Sequence, residues 1–208
     1  MKILEEKNKT FLIIAAGSSV REHKDKIDEF ISSNNPTIVG INNITSLYVP
    51  KYHLWTNNER LRSFGSKAIK EKSNLMLGSG IKKNSIPPNV KKYETVNFLD
   101  KKELKDFNFD GNKFSGYFRT AGALAIYLCH HSNAKSISVV GMDGFTLNGR
   151  SGNQHLYGSG RTDDYSWDGC IKKDKIIYSC LKNLKNHGVK FSILTPTVYK
   201  DFQHGFPN

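Results

Sequence analysis

This chain lacks most of the features that would place it at a glance. Nothing in it approaches the roughly 20 consecutive apolar residues that a membrane-crossing helix needs. There are three cysteines, Cys129, Cys170 and Cys180, an odd number without zinc-type spacing. That excludes a disulfide framework and reads as ordinary buried or half-buried thiols in a reducing compartment. The opening residues mix Lys and Glu with no apolar signal core, so a cytoplasmic location is expected. The full Gly-x-Gly-x-x-Gly dinucleotide fingerprint is missing. So is any Asp-x-Asp pair of the kind that chelates a divalent cation; Asp163-Asp164 is adjacent and reads as a solvated loop pair.

What is present is an ordinary globular composition with an unusual charge. With 208 residues, 38% hydrophobic and 24% charged, the chain has material for a real core and is most simply one domain, 1–208. The formal net charge is +12, which calls for an anionic partner: a nucleotide, an acidic glycan, nucleic acid or an anionic membrane face. The lysines are scattered in singles and pairs, from Lys67, Lys70 and Lys72 through Lys82-Lys83, Lys91-Lys92 and Lys101-Lys102 to Lys172-Lys173. No arginine-rich block or nucleic-acid module appears, which makes nucleic acid the weakest of these partners. A merely solvated basic surface remains an equal reading.

Several short apolar runs end in small or amide residues. Phe11-Leu12-Ile13-Ile14 reads as a strand, followed by Ala15-Ala16-Gly17-Ser18-Ser19 and a helix over 20–33. Ser18 or Ser19 caps that helix and leaves its backbone N–H groups for an anion, or the turn is an ordinary strand-to-helix turn. Asn34-Asn35-Pro36 is a turn. A second strand, 37–41, ends in Asn42-Asn43, and a third, 52–56, ends in Asn57-Asn58. In doubly wound sheets ligands lie beyond the carboxyl ends of the strands, so these endings read as a ligand-facing rim or as plain turns. A basic helix is expected over 61–72, strands over 74–78 and 90–97, and a loop between those strands. Residues 100–110 are charged and mixed, and carry no clear signal.

The chain is organised around 120–162. Thr120 caps a helix over 121–131 that opens with the small residues Ala121 and Gly122. A buried strand, 136–140, stops at Gly141-Met142-Asp143-Gly144. A glycine-punctuated segment, 144–169, follows and carries Gln154-His155-Leu156-Tyr157-Gly158. It reads as a flexible lid. A helix over 171–187 ends at Gly188, and a last strand over 189–194 ends in Thr195-Pro196-Thr197. His53 and the pair His130-His131 read as structural, the pair through its place at a helix end.

In order and spacing these pieces resemble the bacterial sialyltransferases that use CMP-sialic acid, a family with a Rossmann-like domain and a lid. The likeness rests on four places: 15–20, Ile41-Asn42-Asn43 followed by Trp55-Thr56-Asn57, Thr120-Ala121-Gly122 through Gly141-Met142-Asp143, and 154–158. It covers about two thirds of the chain. It implies an α/β, Rossmann-like, doubly wound and mostly parallel sheet. It also implies a bacterial surface-glycan transferase with a CMP-sugar donor, a glycan acceptor and no required metal or cofactor. By the same resemblance Gly17, Asn42, Asn57 and Ala121 contact nucleotide or donor sugar, and His155 is the general base. Ser18, Asn43, Thr120, Gly122, Gly141, Asp143 and Phe145 complete the donor-facing rim.

The departures are Ala16 where the family has Asn, Ala121 where it has Ser, and Phe145 where it has a phosphate-binding Tyr. Tyr157, Tyr165, Arg150 and Arg161 are candidates to replace that phosphate contact. The opening strand and Gly-Ser-Ser turn are also similar to domains appended to aldolase-like proteins in polysaccharide clusters. They are similar as well to the 6-hydroxymethylpterin diphosphokinase-like proteins. A pyrophosphokinase and a non-catalytic nucleotide- or glycan-binding domain therefore stand as alternatives. A place on the inner face of an anionic membrane is compatible with the charge.

Overall fold

A seven-stranded, all-parallel sheet organises the computed structural model, which describes residues 1–70, 72–150, 155–156 and 166–207. In chain order, β1 (Thr10–Ile14), β2 (Thr37–Ile41), β3 (Tyr52–Trp55), β4 (Asn74–Gly78) and β5 (Glu94–Val96) lie side by side. A separate small sheet follows, built of β6 (Phe98–Asp100), β7 (Asn108–Phe109) and β8 (Phe114–Gly116). The chain then returns to the far side of β1 as β9 (Ser136–Val140), with β10 (Ser192–Ile193) outside it. The strand order is therefore β10-β9-β1-β2-β3-β4-β5, a Rossmann-like doubly wound arrangement that reverses direction between β1 and β9.

The period-2 geometry of a strand sends alternate residues to opposite faces, and here both faces are covered, as a parallel sheet requires. Phe11 and Ile13 share one core with Val39, Ile41, Leu54, Ile137 and Val139; Leu12, Ile14 and Val140 share another. The first face carries α4 (Ala121–His131) and α5 (Trp167–Asn186); the second carries α2 (Lys24–Asn34) and α3 (Asn58–Lys70). Residues 122–129 of α4 are all buried, because the helix is apolar all round and is covered on both sides. The central sheet covers one side. Phe107, Phe114 and Phe118 from the small-sheet region cover the other, at ring distances of 5.2, 6.0 and 5.6 Å from Tyr127.

Several elements differ from the sequence expectation. The first helix is two pieces, α1 (Ser19–Glu22) and α2, divided where His23 leaves the helical region at φ −111° and ψ 26°. α5 begins at Trp167, because Gly169, which reads as loop, donates its N–H to the Ser166 cap. The strands expected over 90–97 and 189–194 shrink to β5 and β10. His130 and His131 join the ring cluster around Tyr127, and burial lowers both pKa values, so they pack as neutral rings and do not serve as helix-end charges. All three cysteines are free and buried. The tail folds back over β10, where the His204 N–H reaches the Ile193 carbonyl at 3.0 Å and Phe206 meets Phe30. Among the described residues no helix is long and apolar enough to cross a membrane.

Candidate functional site

The reversal between β1 and β9 opens a crevice beyond the carboxyl ends of the strands, and a pocket occupies it. Ala15, Ala16 and Gly17 after β1, Ile41 and Asn42 at the end of β2, and Gly141, Met142 and Asp143 after β9 form its walls. Thr120, Ala121 and Gly122 at the start of α4 close another side, with Phe145 and His155 at the rim. Thr120 earns its place by capping: its Oγ1 accepts the Ala123 N–H at 3.1 Å. The walls are fixed from behind by the strand end of β10. Thr195 accepts the Gly141 N–H at 3.0 Å, and the Thr197 hydroxyl donates to the Met142 carbonyl at 2.7 Å.

The turn after β1 does not wait for an external anion. Asp143, 3% exposed, accepts the Ser19 N–H at 2.9 Å and the Ser19 hydroxyl, with the Ser18 hydroxyl at 3.5 Å. This corrects the expectation that Ser18 and Ser19 leave donors free for phosphate. Burial holds the Asp143 carboxyl above its usual range, against the downward pull of the Ser19 hydrogen bonds. Gly17 is glycine for the same reason. A Cβ there would stand 2.4 Å from the Asp143 carboxyl carbon and 2.5 Å from the Gly141 carbonyl oxygen. Gly122 likewise makes room for the Met142 side chain, 2.2 Å from where a Cβ would be.

His155 stands at this turn. It pairs with Gly17 as an isolated antiparallel bridge, and the next residue donates its N–H to the Ala16 carbonyl at 3.0 Å. Leu156 is buried in the core on that face, and Arg21 donates to its carbonyl at 2.9 Å, so the histidine is carried by an anchored neighbour. Across the pocket, Asn42 is held left-handed at φ 56°. Its carbonyl accepts from the His53 Nε2–H. Burial drops the His53 pKa to about 4, which keeps that imidazole neutral. The Asn42 Oδ1 is buried and has no hydrogen-bond partner among the described residues, an acceptor on the pocket wall.

Three pocket residues carry no signal in sequence: Arg60 from the first turn of α3, Ile177 from α5 and Tyr199 from the tail. A fourth residue, Asp174 of α5, shapes the rim from outside. Its carboxylate accepts the Phe145 N–H at 2.8 Å, the Thr146 N–H at 3.0 Å, the Thr146 hydroxyl at 2.8 Å and the buried Tyr199 hydroxyl at 2.9 Å. The Phe145 ring so positioned meets the His155 ring edge-on at 6.4 Å, and the Lys173 ammonium lies 4.3 Å from its centre.

Of the rim residues proposed from sequence, Ser18, Asn43, Asn57 and Arg150 are not on the pocket wall. Ser18 bonds inward to Asp143 and accepts from Asn148 at 2.7 Å. Asn43 is buried behind the wall. Asn57 caps α3, accepting the Arg60 N–H at 3.0 Å. Arg150 lies over the Trp167 ring at 5.6 Å. Gln154, Tyr157, Arg161 and Tyr165, with half of the expected lid, lie outside the described residues. Among the described residues no three His, Cys, Asp or Glu side chains are grouped to hold a metal ion. No protein-family model matches the chain, and no curated protein is similar to it in sequence.

Proposed function

We propose that the pocket binds a CMP-activated sugar and that the protein transfers the sugar to a glycan hydroxyl, with His155 as general base. The observation that carries this reading is the pairing of His155 with Gly17, which sets an imidazole on the same pocket as Asn42 and the start of α4. Histidine is the side chain most often used as a general base toward a hydroxyl proton near neutral pH. In the proposed step the acceptor oxygen loses its proton to His155 and forms a bond to the anomeric carbon. The bond from that carbon to the phosphate oxygen breaks, and CMP leaves with the electron pair. Among the described residues, Arg60 on the pocket wall and Lys173 beside Phe145 are placed to receive that charge. They do so in place of the hydroxyl that Phe145 lacks.

Thermal-shift measurement against CMP, UMP, GDP and ADP with Mg²⁺ tests the ligand. Selective stabilisation by CMP is expected; stabilisation by ADP with Mg²⁺ points instead to a pyrophosphokinase. His155→Ala should lower transfer by about 10²–10⁴-fold while leaving CMP binding nearly intact. Loss of CMP binding with turnover retained removes His155 as the base. The phenyl ring of Phe145 also favours a second reading, a nucleotide-binding domain without catalysis. That reading is upheld if CMP binds and no acceptor yields product.

A further inference from the structure

The positive charge of this chain is not spread evenly. Residues 60–93 hold nine Lys and Arg and one acid, Glu71, a net of +8 out of the +12 of the whole chain. Adding the flanking Glu59 and Glu94 still leaves +6 in that stretch. Scattered along the sequence, these residues come together in the fold. α3 and the crossing from β4 to β5 pack on one another through Leu61, Phe64, Ile81, Ile86 and Val90. Arg62 donates to the Ser85 hydroxyl at 3.3 Å. The result is one end wall of the molecule, over β4 and the edge strand β5. Arg62, Lys67, Lys72, Lys82-Lys83 and Lys91-Lys92 are exposed on it. Among the described residues none of them has a carboxylate partner.

We propose that this wall docks the protein on an anionic phospholipid surface. Three observations choose a bilayer over nucleic acid. Seven of the nine cations are lysines, compact charges on long stems, whereas phosphate and base recognition favours the planar arginine fork. The wall offers no row of exposed aromatic rings for bases to stack on. Its exposed aromatic is Tyr93, 41% exposed, directly after Lys91-Lys92, an apolar ring with a polar tip of the kind that lies at headgroup level. Val49, 51% exposed, lies in the chain that leads into β3.

The experiment is sedimentation of the full chain with vesicles of phosphatidylcholine alone and of phosphatidylcholine mixed with phosphatidylglycerol. Binding is expected to the mixed vesicles only, and to fall as salt rises. A variant with Lys82, Lys83, Lys91 and Lys92 all changed to Glu should bind the mixed vesicles at least two to three orders of magnitude more weakly, since each lysine near such a surface contributes about five-fold. A control with Lys26, Lys135, Lys182 and Lys190 changed to Glu alters net charge by the same amount at the other end of the sheet and should bind nearly as wild type. Tyr93→Ser, which leaves the charge unchanged, should weaken binding as well. Equal loss in both charge variants, absence of binding to the mixed vesicles, or tighter binding to a nucleic-acid duplex of matched phosphate content overturns the proposal.

Discussion

Asp174→Ala removes the acceptor that four donors share on one side of the pocket. The Tyr199 hydroxyl loses most, because Tyr199 is 1% exposed and water cannot take the carboxylate's place. Leaving such a buried donor unmet costs about 1–3 kcal/mol. Phe145 and Thr146 are half-buried, so solvent recovers part of their backbone hydrogen bonds. Together they add about 1–2 kcal/mol. Relief of the buried carboxylate's own desolvation works the other way and keeps the net near 2–4 kcal/mol. For a chain of this size each kcal/mol lowers Tm by about 2–4 °C. Asp174→Asn keeps one acceptor oxygen and should lose about half as much.

Urea unfolding gives the stability, and hydrogen exchange at the Phe145 and Thr146 amides gives the location. Faster exchange there, with the β9 amides unchanged, is the expected pattern. Tyr199→Phe closes a double-mutant cycle, and its coupling to Asp174→Ala should be about 1–2 kcal/mol. An Asp174→Ala protein within about 0.5 kcal/mol of wild type, with Thr146 exchange unaltered, refutes the idea that this carboxylate holds the rim.

Three further outcomes follow from the same geometry. Gly17→Ala puts a methyl against the Asp143 carboxyl and the Gly141 carbonyl, and should cost at least about 2–3 kcal/mol in a denaturant melt; a neutral result refutes the packing account of this glycine. The folded His53 pKa, about 4, lies below the unfolded value, so its contribution to stability is present above the unfolded pKa and is lost as pH falls toward 4. That is about 3 kcal/mol of acid sensitivity, which His53→Gln should remove while still donating to the Asn42 carbonyl. Asp143 has the opposite sign: its pKa is raised, so the folded state holds the proton more firmly and stability falls as pH rises through the folded pKa. The advantage of wild type over Asp143→Asn should therefore be greatest in acid and shrink toward neutrality; the reverse trend means the Ser19 hydrogen bonds outweigh burial.

What the sequence discloses here follows the range of the forces involved. β2, β4 and β9 are legible to the residue, and β1 to within one at its start, because a doubly buried strand must be a short apolar run between turn residues. α4 is legible from the Thr120 cap onward, and the end of α5 from Gly188, whose φ is 79°. The small sheet is not, since strands of two or three residues carry no periodicity and its purpose, covering the outer side of α4, is a tertiary fact. Of the repeated strand endings, Gly17 and Asn42 line the pocket, and so do Thr120 and His155, to which the resemblance pointed. The same repetition overreached at Asn57, where an amide after a strand is a helix cap. Asp174 and Arg60 were silent, because a single acid or base inside an amphipathic helix looks like any solvated charge until the loop it meets is in place.

Asp143 and Asp174 bear on the charge of the ligand that the proposed function puts in the pocket. Asp143 is committed to the turn after β1, and Asp174 to the loop after β9, each saturated by donors of the chain itself. Among the described residues, Asp143 is the one carboxylate on the pocket wall, and its charge faces Ser19. The wall also carries Asn42, the start of α4, His155 and Arg60. A wall with its acids turned inward and its cations retained favours a negatively charged ligand, and the first βα turn is already filled. Under the proposed function the anion would lie toward Arg60 and α4, away from Ser18 and Ser19. On that geometry Arg60→Ala should weaken CMP binding by one to two orders of magnitude, as loss of a charge-assisted hydrogen bond of about 1.5–3 kcal/mol implies, whereas Ser18→Ala should leave it unchanged.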